Sequence, residues 1–338
     1  MPDVRLTIDG TAYGGWKSIS VSLGIEQIAG SYELAVSELA PDGSAAAALR
    51  PGRRAALSID GDTVITGYID DADATGNATE HGITIRGRDA AGDLVDCSAI
   101  HKTGEWLNQS MLAIARDLAA PFGITVRAST DVGRPFSKWN IEPGESVFEN
   151  LERMARHRAV LLVSDGQGGI EITRPGRQTA PTSLVLGENI LTVSGGISYA
   201  NRFSEYIVQG QRPRDDESDG EQVTFQTGRA TDSQVTRYRP RINLMEDIAD
   251  VETLRRRAAW QRNTSAGRSE RATITVQGWR HASGLWRPNT LVPATIPWLR
   301  WSEREMLIVG VQYALDNAGT RTELTVAPPA SLTPEELP

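Results

Sequence analysis

The chain has 338 residues, 39% of them hydrophobic and 23% charged, which is length for two or three domains and a composition that builds packed cores rather than disorder. A single cysteine, Cys97, excludes an internal disulfide framework and a cysteine-based zinc site, and no apolar run approaches the ~20 residues of a membrane helix. The net charge of −8 falls entirely within residues 1–100, which hold 15 Asp/Glu against 7 Lys/Arg; a chain built to grip nucleic acid is skewed the other way.

Residues 1–100 read as strands. The N-terminus Met-Pro-Asp-Val-Arg has no apolar region, so no secretory leader is expected. Arg5–Asp9 alternates and turns at Asp9-Gly10. Ser18–Leu23 alternates, as do Tyr32, Leu34 and Val36 against Glu33, Ala35 and Ser37. Leu57 and Ile59 lead into Asp60-Gly61, a two-residue hairpin signal, with Val64–Ile69 and Ile83–Ile85 beyond it. Period-2 strands at this spacing predict a small antiparallel barrel or sandwich.

The period changes after residue 100. Leu107, Met111, Ile114, Ala115 and Leu118 fall on one face of a helix that Pro121 and Gly123 end. A second helix starts at Ser146, with Glu149 completing a capping box and Val147, Leu151, Met154 and Ala155 forming its apolar face. Val160–Val163, the turn Ser164–Gly169, and Ile170 with Ile172 read as a hairpin. Residues 190–212 return to strand, with Phe203, Tyr206 and Val208 alternating in part, and Arg212–Glu221 is a solvated charged loop. A helix is predicted around 250–262, with Val251, Leu254 and Ala258 on one face. Strands follow at Ile274–Val276, Met306–Tyr313 and Leu324–Val326.

Two segments echo each other. Ile65-Thr66-Gly67-Tyr68 runs through Asp73, Gly76, Thr79 and Glu80 to Ile83-Thr84-Ile85. Ile308-Val309-Gly310-Val311 runs through Asp316, Gly319, Thr322 and Glu323 to Leu324-Thr325-Val326. Either hairpins simply look alike, or the chain holds two related barrels separated by helix-containing insertions.

No catalytic pattern emerges. His81, His101, His157 and His281 include no i, i+4 pair and no His-Glu-x-x-His. Gly166-Gln167-Gly168-Gly169 lies between strands, so it is a hairpin turn rather than a phosphate loop. Gly144-Glu145-Ser146 is a helix cap rather than part of a nucleophile elbow. Cys97 follows Asp96, and a neighbouring negative charge disfavours a thiolate, so no nucleophile is expected there. Asp215, Asp216 and Glu217 read as a solvated run. No catalytic, cofactor-binding or metal-ligating residue is assigned, and no cofactor is expected. The basic residues are 32 Arg and 3 Lys (Lys17, Lys102, Lys138), a bias that suits interfaces and that a GC-rich genome also produces. Trp260, Trp279, Trp286, Trp298 and Trp301 cluster beside Arg255, Arg256, Arg257, Arg262, Arg268 and Arg271, a core or a subunit contact.

These strings, in order, resemble the baseplate hub family of contractile-tailed phages, the Mu-type tail protein, to which the hub of type VI secretion spikes is also similar. The segments that carry the resemblance are Ser22–Ser37, Gly67–Asp70, Gly87–Asp89, Asp93–Ser98, Ile141–Arg153, Arg202–Tyr206, Gly210-Gln211, Gly278–Arg280, Leu285–Asn289 and Gly319-Thr320. The fold then expected is mainly β with α+β insertions: two small antiparallel β-barrels plus helix-containing subdomains, assembling as a ring. The expected boundaries are a first barrel at 1–100, an α+β domain at 101–187, a discontinuous second barrel at 188–212 and 268–328, an inserted loop and helix at 213–267, and a flexible tail at 329–338.

The resemblance implies a structural, non-enzymatic virion protein made in the bacterial host cytoplasm. It implies a homotrimer joining a threefold central spike to a sixfold tail tube or tube initiator, contacting baseplate wedge proteins, leaving a passage for DNA without specific binding, and inserting in no membrane. The acidic first third is expected to line that passage. The rivals are the hub of a bacterial contractile injection system, a tail-associated cell-wall hydrolase, and a carbohydrate-binding module using Trp279–Trp301.

Overall fold

The computed structural model describes residues 2–37, 49–76, 81–158, 160–176, 178–210, 226–244 and 251–332. Alternation becomes strand wherever one face is buried: in Ser18–Gly24, Ile19 and Val21 point into the core and the serines between them do not. The Asp9-Gly10 and Asp60-Gly61 steps form tight hairpin turns. Asp9 and Gly10 have φ of 48° and 81°, and Asp60 and Gly61 have 50° and 87°. Positive φ at both central residues gives the turn whose twist matches the flanking strands.

Fourteen of the described strands share one sheet. Its plan is a duplication. The first set is Ser18–Gly24, Ser31–Ser37, Arg54–Ile59, Asp62–Gly76 and His81–Asp89. The second is Ile190–Ile197, Glu270–Gln277, Thr290–Ile296, Trp301–Asp316 and Gly319–Ala327. In each set strand one pairs strand two, two pairs five, five pairs four, and four pairs three, always antiparallel. Both sets carry the same two irregularities. One bulge separates Ile69 from Asp71 and its counterpart separates Ile308 from Gly310. The other follows Leu57 in the first set and Ala294 in the second. Bulges fix register and local twist, so their repetition marks a true duplication. The match corrects the sequence echo: the bulges equate Ile69, not Ile65, with Ile308.

The expectation of two separate barrels is also corrected. Among the described residues no sheet closes on itself. Closure requires a set's edge strand to return to its own set. Instead Ser18–Gly24 pairs with the distal half of Trp301–Asp316, Val21 opposite Tyr313 and Ile19 opposite Leu315. One buried cluster therefore runs through both sets, from Leu6, Val21, Leu34 and Ile85 to Ile274, Ile308, Tyr313 and Leu324.

Between the sets lies an α+β module. Helix Met111–Ala119 and helix Val147–Arg158 pack on strands Leu161–Ser164, Ile170–Thr173 and Val126–Ala128 around Met111, Ile114, Leu151 and Ile172. The capping box forms as its residue types predict. Ser146 N–H donates to Glu149 Oε2 at 2.7 Å, and Glu149 N–H to Ser146 Oγ at 3.1 Å. Leu107 departs from expectation: it sits on strand Glu105–Gln109 and is 58% exposed. Ser110 starts the helix, its hydroxyl accepting from Ala113 N–H at 3.2 Å. A short helix, Gly92–Asp96, lies within the stretch expected to be all strand, and its Leu94 belongs to the module's core.

The second set is interrupted after its first strand. Glu205–Gly210, assigned from sequence to the second barrel, instead forms its own sheet, antiparallel to Gln226–Thr231 and parallel to Pro240–Leu244. Helix Val251–Arg268 lies on that sheet through Leu254 and Ala258 against Tyr206 and Val208. The approach is backbone to backbone: a Cβ on Gly228 would meet Leu254 C at 2.1 Å. Gly228→Ala is accordingly expected to destabilise this subdomain by roughly 1–3 kcal/mol, read as faster amide exchange in Gln226–Thr231. Arg212–Glu221 lies outside the described residues, as do residues 333–338 of the expected tail. No described helix is long and apolar enough to cross a membrane.

Candidate functional site

Side-chain chemistry is scattered rather than convergent. His101 stacks on Trp106 at 4.2 Å, His157 meets Trp139 edge-on at 5.5 Å, and His281 tilts against Trp286 at 4.7 Å. Burial lowers the His281 pKa, opposed by a hydrogen bond with the Leu285 backbone. Cys97 is exposed. Among the described residues no group of His, Cys, Asp and Glu is arranged to hold a metal ion; Asp215, Asp216 and Glu217 lie outside them. The glycine-rich segment is the turn of the Leu161–Ser164/Ile170–Thr173 hairpin, organised by Asp165 Oδ1, which accepts from Gln167 and Gly169 N–H. Trp279, Trp286 and Trp301 are core residues, which removes most of the proposed carbohydrate-binding cluster; Trp298 is 54% exposed.

One buried carboxylate is structural. Asp89 ends the fifth strand of the first set and accepts from Ala91 N–H at 2.9 Å, starting helix Gly92–Asp96, and from Ser164 Oγ at 2.7 Å. Thr66 Oγ1 donates to Gly166 O at 3.0 Å beside it, so the hairpin turn of the α+β module is seated on the first set. Burial pushes the Asp89 pKa up to about 6, outweighing those two hydrogen bonds. An unfolded aspartate titrates near ~4. Between about pH 4 and 6 Asp89 thus binds more of its proton in the folded chain, and its own contribution to stability falls as pH rises through that window. Asp89→Asn is expected to remove that contribution, so that its stability relative to wild type rises between pH 4.5 and 7 in urea unfolding; an unchanged difference at the two pH values would remove Asp89 as a source of pH dependence.

The interrupting subdomain is clamped by a buried ion pair. Arg202 is 3% exposed and Asp232 6%. Arg202 Nε donates to Asp232 Oδ2 at 2.6 Å, and Nη2 to Oδ1 at 3.1 Å and to Gln234 Oε1 at 2.7 Å. Nη1 reaches Ser269 Oγ at 3.3 Å, and the guanidinium lies 4.8 Å over Tyr199. Burial pushes the Asp232 carboxyl up, but Arg202 and the Gln234 N–H outweigh it and hold it below the usual carboxylate range.

The acidic excess is not a bare patch. Arg86 bridges Glu33 and Asp73, both at 2.6 Å. Arg88 bridges Asp70 at 2.8 Å and Asp96 at 2.7 Å, and Arg280 reaches back from the second set to Asp60 and Asp62. Several strand edges lie open among the described residues, the outer side of Thr11–Tyr13 among them, and two of these belong to the repeated sets. One is the distal half of Asp62–Gly76, where the pairing with Arg54–Ile59 ends at Tyr68. The other is the outer side of Ile190–Ile197, one of the two terminal strands of the sheet. The sequence reading placed residues 190–212 in strand but ended the other strand at Ile69, short of its open half, and periodicity carries no signal for which edges go unpaired.

Four family models match segments of the chain. Residues 3–89 match the family model "Mu phage baseplate assembly protein GpP-like, N-terminal", and residues 91–174 match "Baseplate hub protein gp44-like, second domain". Residues 202–261 match "Tail protein NMB1110-like, third domain", and residues 251–335 match "Mu phage baseplate assembly protein GpP, fourth domain". The baseplate hub protein gp44 of Escherichia phage Mu is 36% identical over 334 residues, 96% of this chain and 87% of that protein. The 43 kDa tail protein of prophage MuSo2 from Shewanella oneidensis is 35% identical, with a TM-score of 0.86 covering 98% of this chain and 99% of its own. A tail protein from Neisseria meningitidis MC58 shares the fold at a TM-score of 0.83 and 23% identity, covering 100% of this chain and 99% of its own. With that identity over nearly its whole length, the chain belongs to the Mu baseplate hub family of phage tail proteins.

Proposed function

We propose that three copies of this chain close into the hub ring of a contractile-tail baseplate, a structural and non-catalytic part of the virion. The ring joins a threefold spike to the sixfold tail tube, meets wedge proteins at its rim, and leaves a central passage for DNA. The observation that carries this reading is the duplicated five-strand set. A trimer of a chain with two like units presents six like units about one axis, so a threefold partner and a sixfold partner both find matching symmetry. The carboxylates of residues 1–100 are taken to face the passage, where like charge keeps DNA from adhering. Their arginine partners leave that lining weakly rather than strongly negative.

Size-exclusion chromatography with light scattering tests the assembly, and end-on electron micrographs test its symmetry. The expected results are a three-chain mass and six lobes around an open centre. A single-chain mass at high concentration, or a closed centre, overturns the reading. Peptidoglycan cleavage that one carboxylate substitution abolishes would overturn its non-catalytic part.

A further inference from the structure

The junction inside the chain is a template for a junction between chains. Within the chain, the first strand of set one lies along the distal half of the fourth strand of set two: Gly24, Leu23, Ser22, Val21, Ser20 and Ile19 stand opposite Gly310, Val311, Gln312, Tyr313, Ala314 and Leu315. The reciprocal halves of that joint are the two open edges of the repeated sets. They are the first strand of set two, Ile190–Ile197, and the distal half of the fourth strand of set one, Asp70 to Gly76.

The shared ladders fix which residues correspond. Equating Ile69 with Ile308 carries Asp71↔Arg86 onto Gly310↔Thr325, and Gly76↔His81 onto Leu315↔Thr320. On the other strand, Ile19 pairs Leu34, which pairs Ile85; Val193 pairs Ile274, which pairs Leu324. Ile19 therefore corresponds to Val193. Transferring the internal register predicts Ala72 opposite Ile197, Asp73 opposite Gly196, Ala74 opposite Gly195, Thr75 opposite Ser194 and Gly76 opposite Val193.

Side-chain chemistry fits that register. In the internal joint the inward row is Val311, Tyr313 and Leu315 against Leu23, Val21 and Ile19. The transferred inward row is Ala72, Ala74 and Gly76 against Ile197, Gly195 and Val193, all apolar or small. The transferred outward row, Asp73 and Thr75 against Gly196 and Ser194, lacks large apolar groups. A slip of one residue would turn each row to the wrong face. Ile197 is 59% exposed in the isolated chain, and this pairing covers it. An open edge is otherwise a template for unplanned pairing.

We infer that Ile190–Ile197 of one copy pairs antiparallel with Asp70 to Gly76 of the next, in the register of the internal joint, so that the occupant of each open edge is a second copy of this chain. The inference rests on the ring reading, and the test separates the two. In the full chain carrying Cys97→Ser, Thr75→Cys with Ser194→Cys is oxidised. Ser20→Cys with Ala314→Cys, the equivalent internal pair, serves as the geometric control, and Thr75→Cys with Ser198→Cys as the off-register control. The expected result is a covalent three-chain product as the major species from the first pair, an intrachain bond from the second, and no crosslink from the third. A three-chain mass in which the internal pair oxidises and Thr75/Ser194 does not overturns the pairing and leaves the ring. A single-chain mass overturns the ring itself. Ala74→Glu, at an exposed position, is expected to shift the three-chain species at least tenfold towards single chains without lowering the unfolding temperature of the chain; an unchanged mass distribution counts against the pairing.

Discussion

Replacing Arg202 with alanine is expected to cost about 3–5 kcal/mol, the range found when one partner of a buried ion pair is removed and the other is left behind. Asp232 would lose its two guanidinium bonds, Gln234 Oε1 its donor and Ser269 Oγ its contact, in a site from which water is nearly excluded. The loss should be local. Arg202 ties the end of the first strand of set two to the turn after Gln226–Thr231 and to the end of helix Val251–Arg268, so amide exchange should quicken in that subdomain before it quickens in the large sheet. Arg202→Lys keeps the charge but not the fork, and should fall between wild type and alanine. Arg202→Met combined with Asp232→Leu should recover most of the loss, because the penalty lies in the orphaned charge. Urea unfolding of the three variants checks the order, and a double variant no better than Arg202→Ala would refute this account.

Tyr313→Ala should be comparably severe, roughly 3–5 kcal/mol for deleting a large buried aromatic side chain. Tyr313 is fully buried where the two sets meet, opposite Val21, 5.8 Å from the Trp279 ring, and its hydroxyl donates to the Trp286 carbonyl. Tyr313→Phe removes only that hydrogen bond, and about 1–3 kcal/mol is expected because the buried carbonyl is left without its partner. The core is continuous across the joint, so both sets should unfold together. Calorimetry is expected to record a single transition for the two sets in Tyr313→Ala; separate transitions for the N-terminal and C-terminal halves would mean that the joint does not couple them.

Local structure was legible in the sequence wherever local physics decides it. The Asp60-Gly61 turn, the Ser146/Glu149 box and the alternation around Ile19 and Val21 each need only a few neighbouring residues, and each is formed. Leu107 misled because a helical spacing extended one turn past the true cap at Ser110. The echo between Ile65 and Ile308 pointed to a real duplication in the wrong register, since bulges, invisible to residue pattern, decide the alignment. The single merged sheet was not legible at all. The contact that produces it joins Ser18–Gly24 to Trp301–Asp316 across most of the chain, and periodicity holds no information on which edge meets which. For the same reason the open edges, the feature that bears most on assembly, became apparent only from the fold.

The subdomain bounded by Arg202 and Arg268 interrupts only one of the two repeated sets. Duplication inside a single gene therefore frees the two halves to diverge, which six separate identical chains never could. In the proposed ring of three chains the appendage would recur at every second seat; a neighbour needing six equivalent footholds would then meet the common scaffold, and one needing three would meet the alternating decoration.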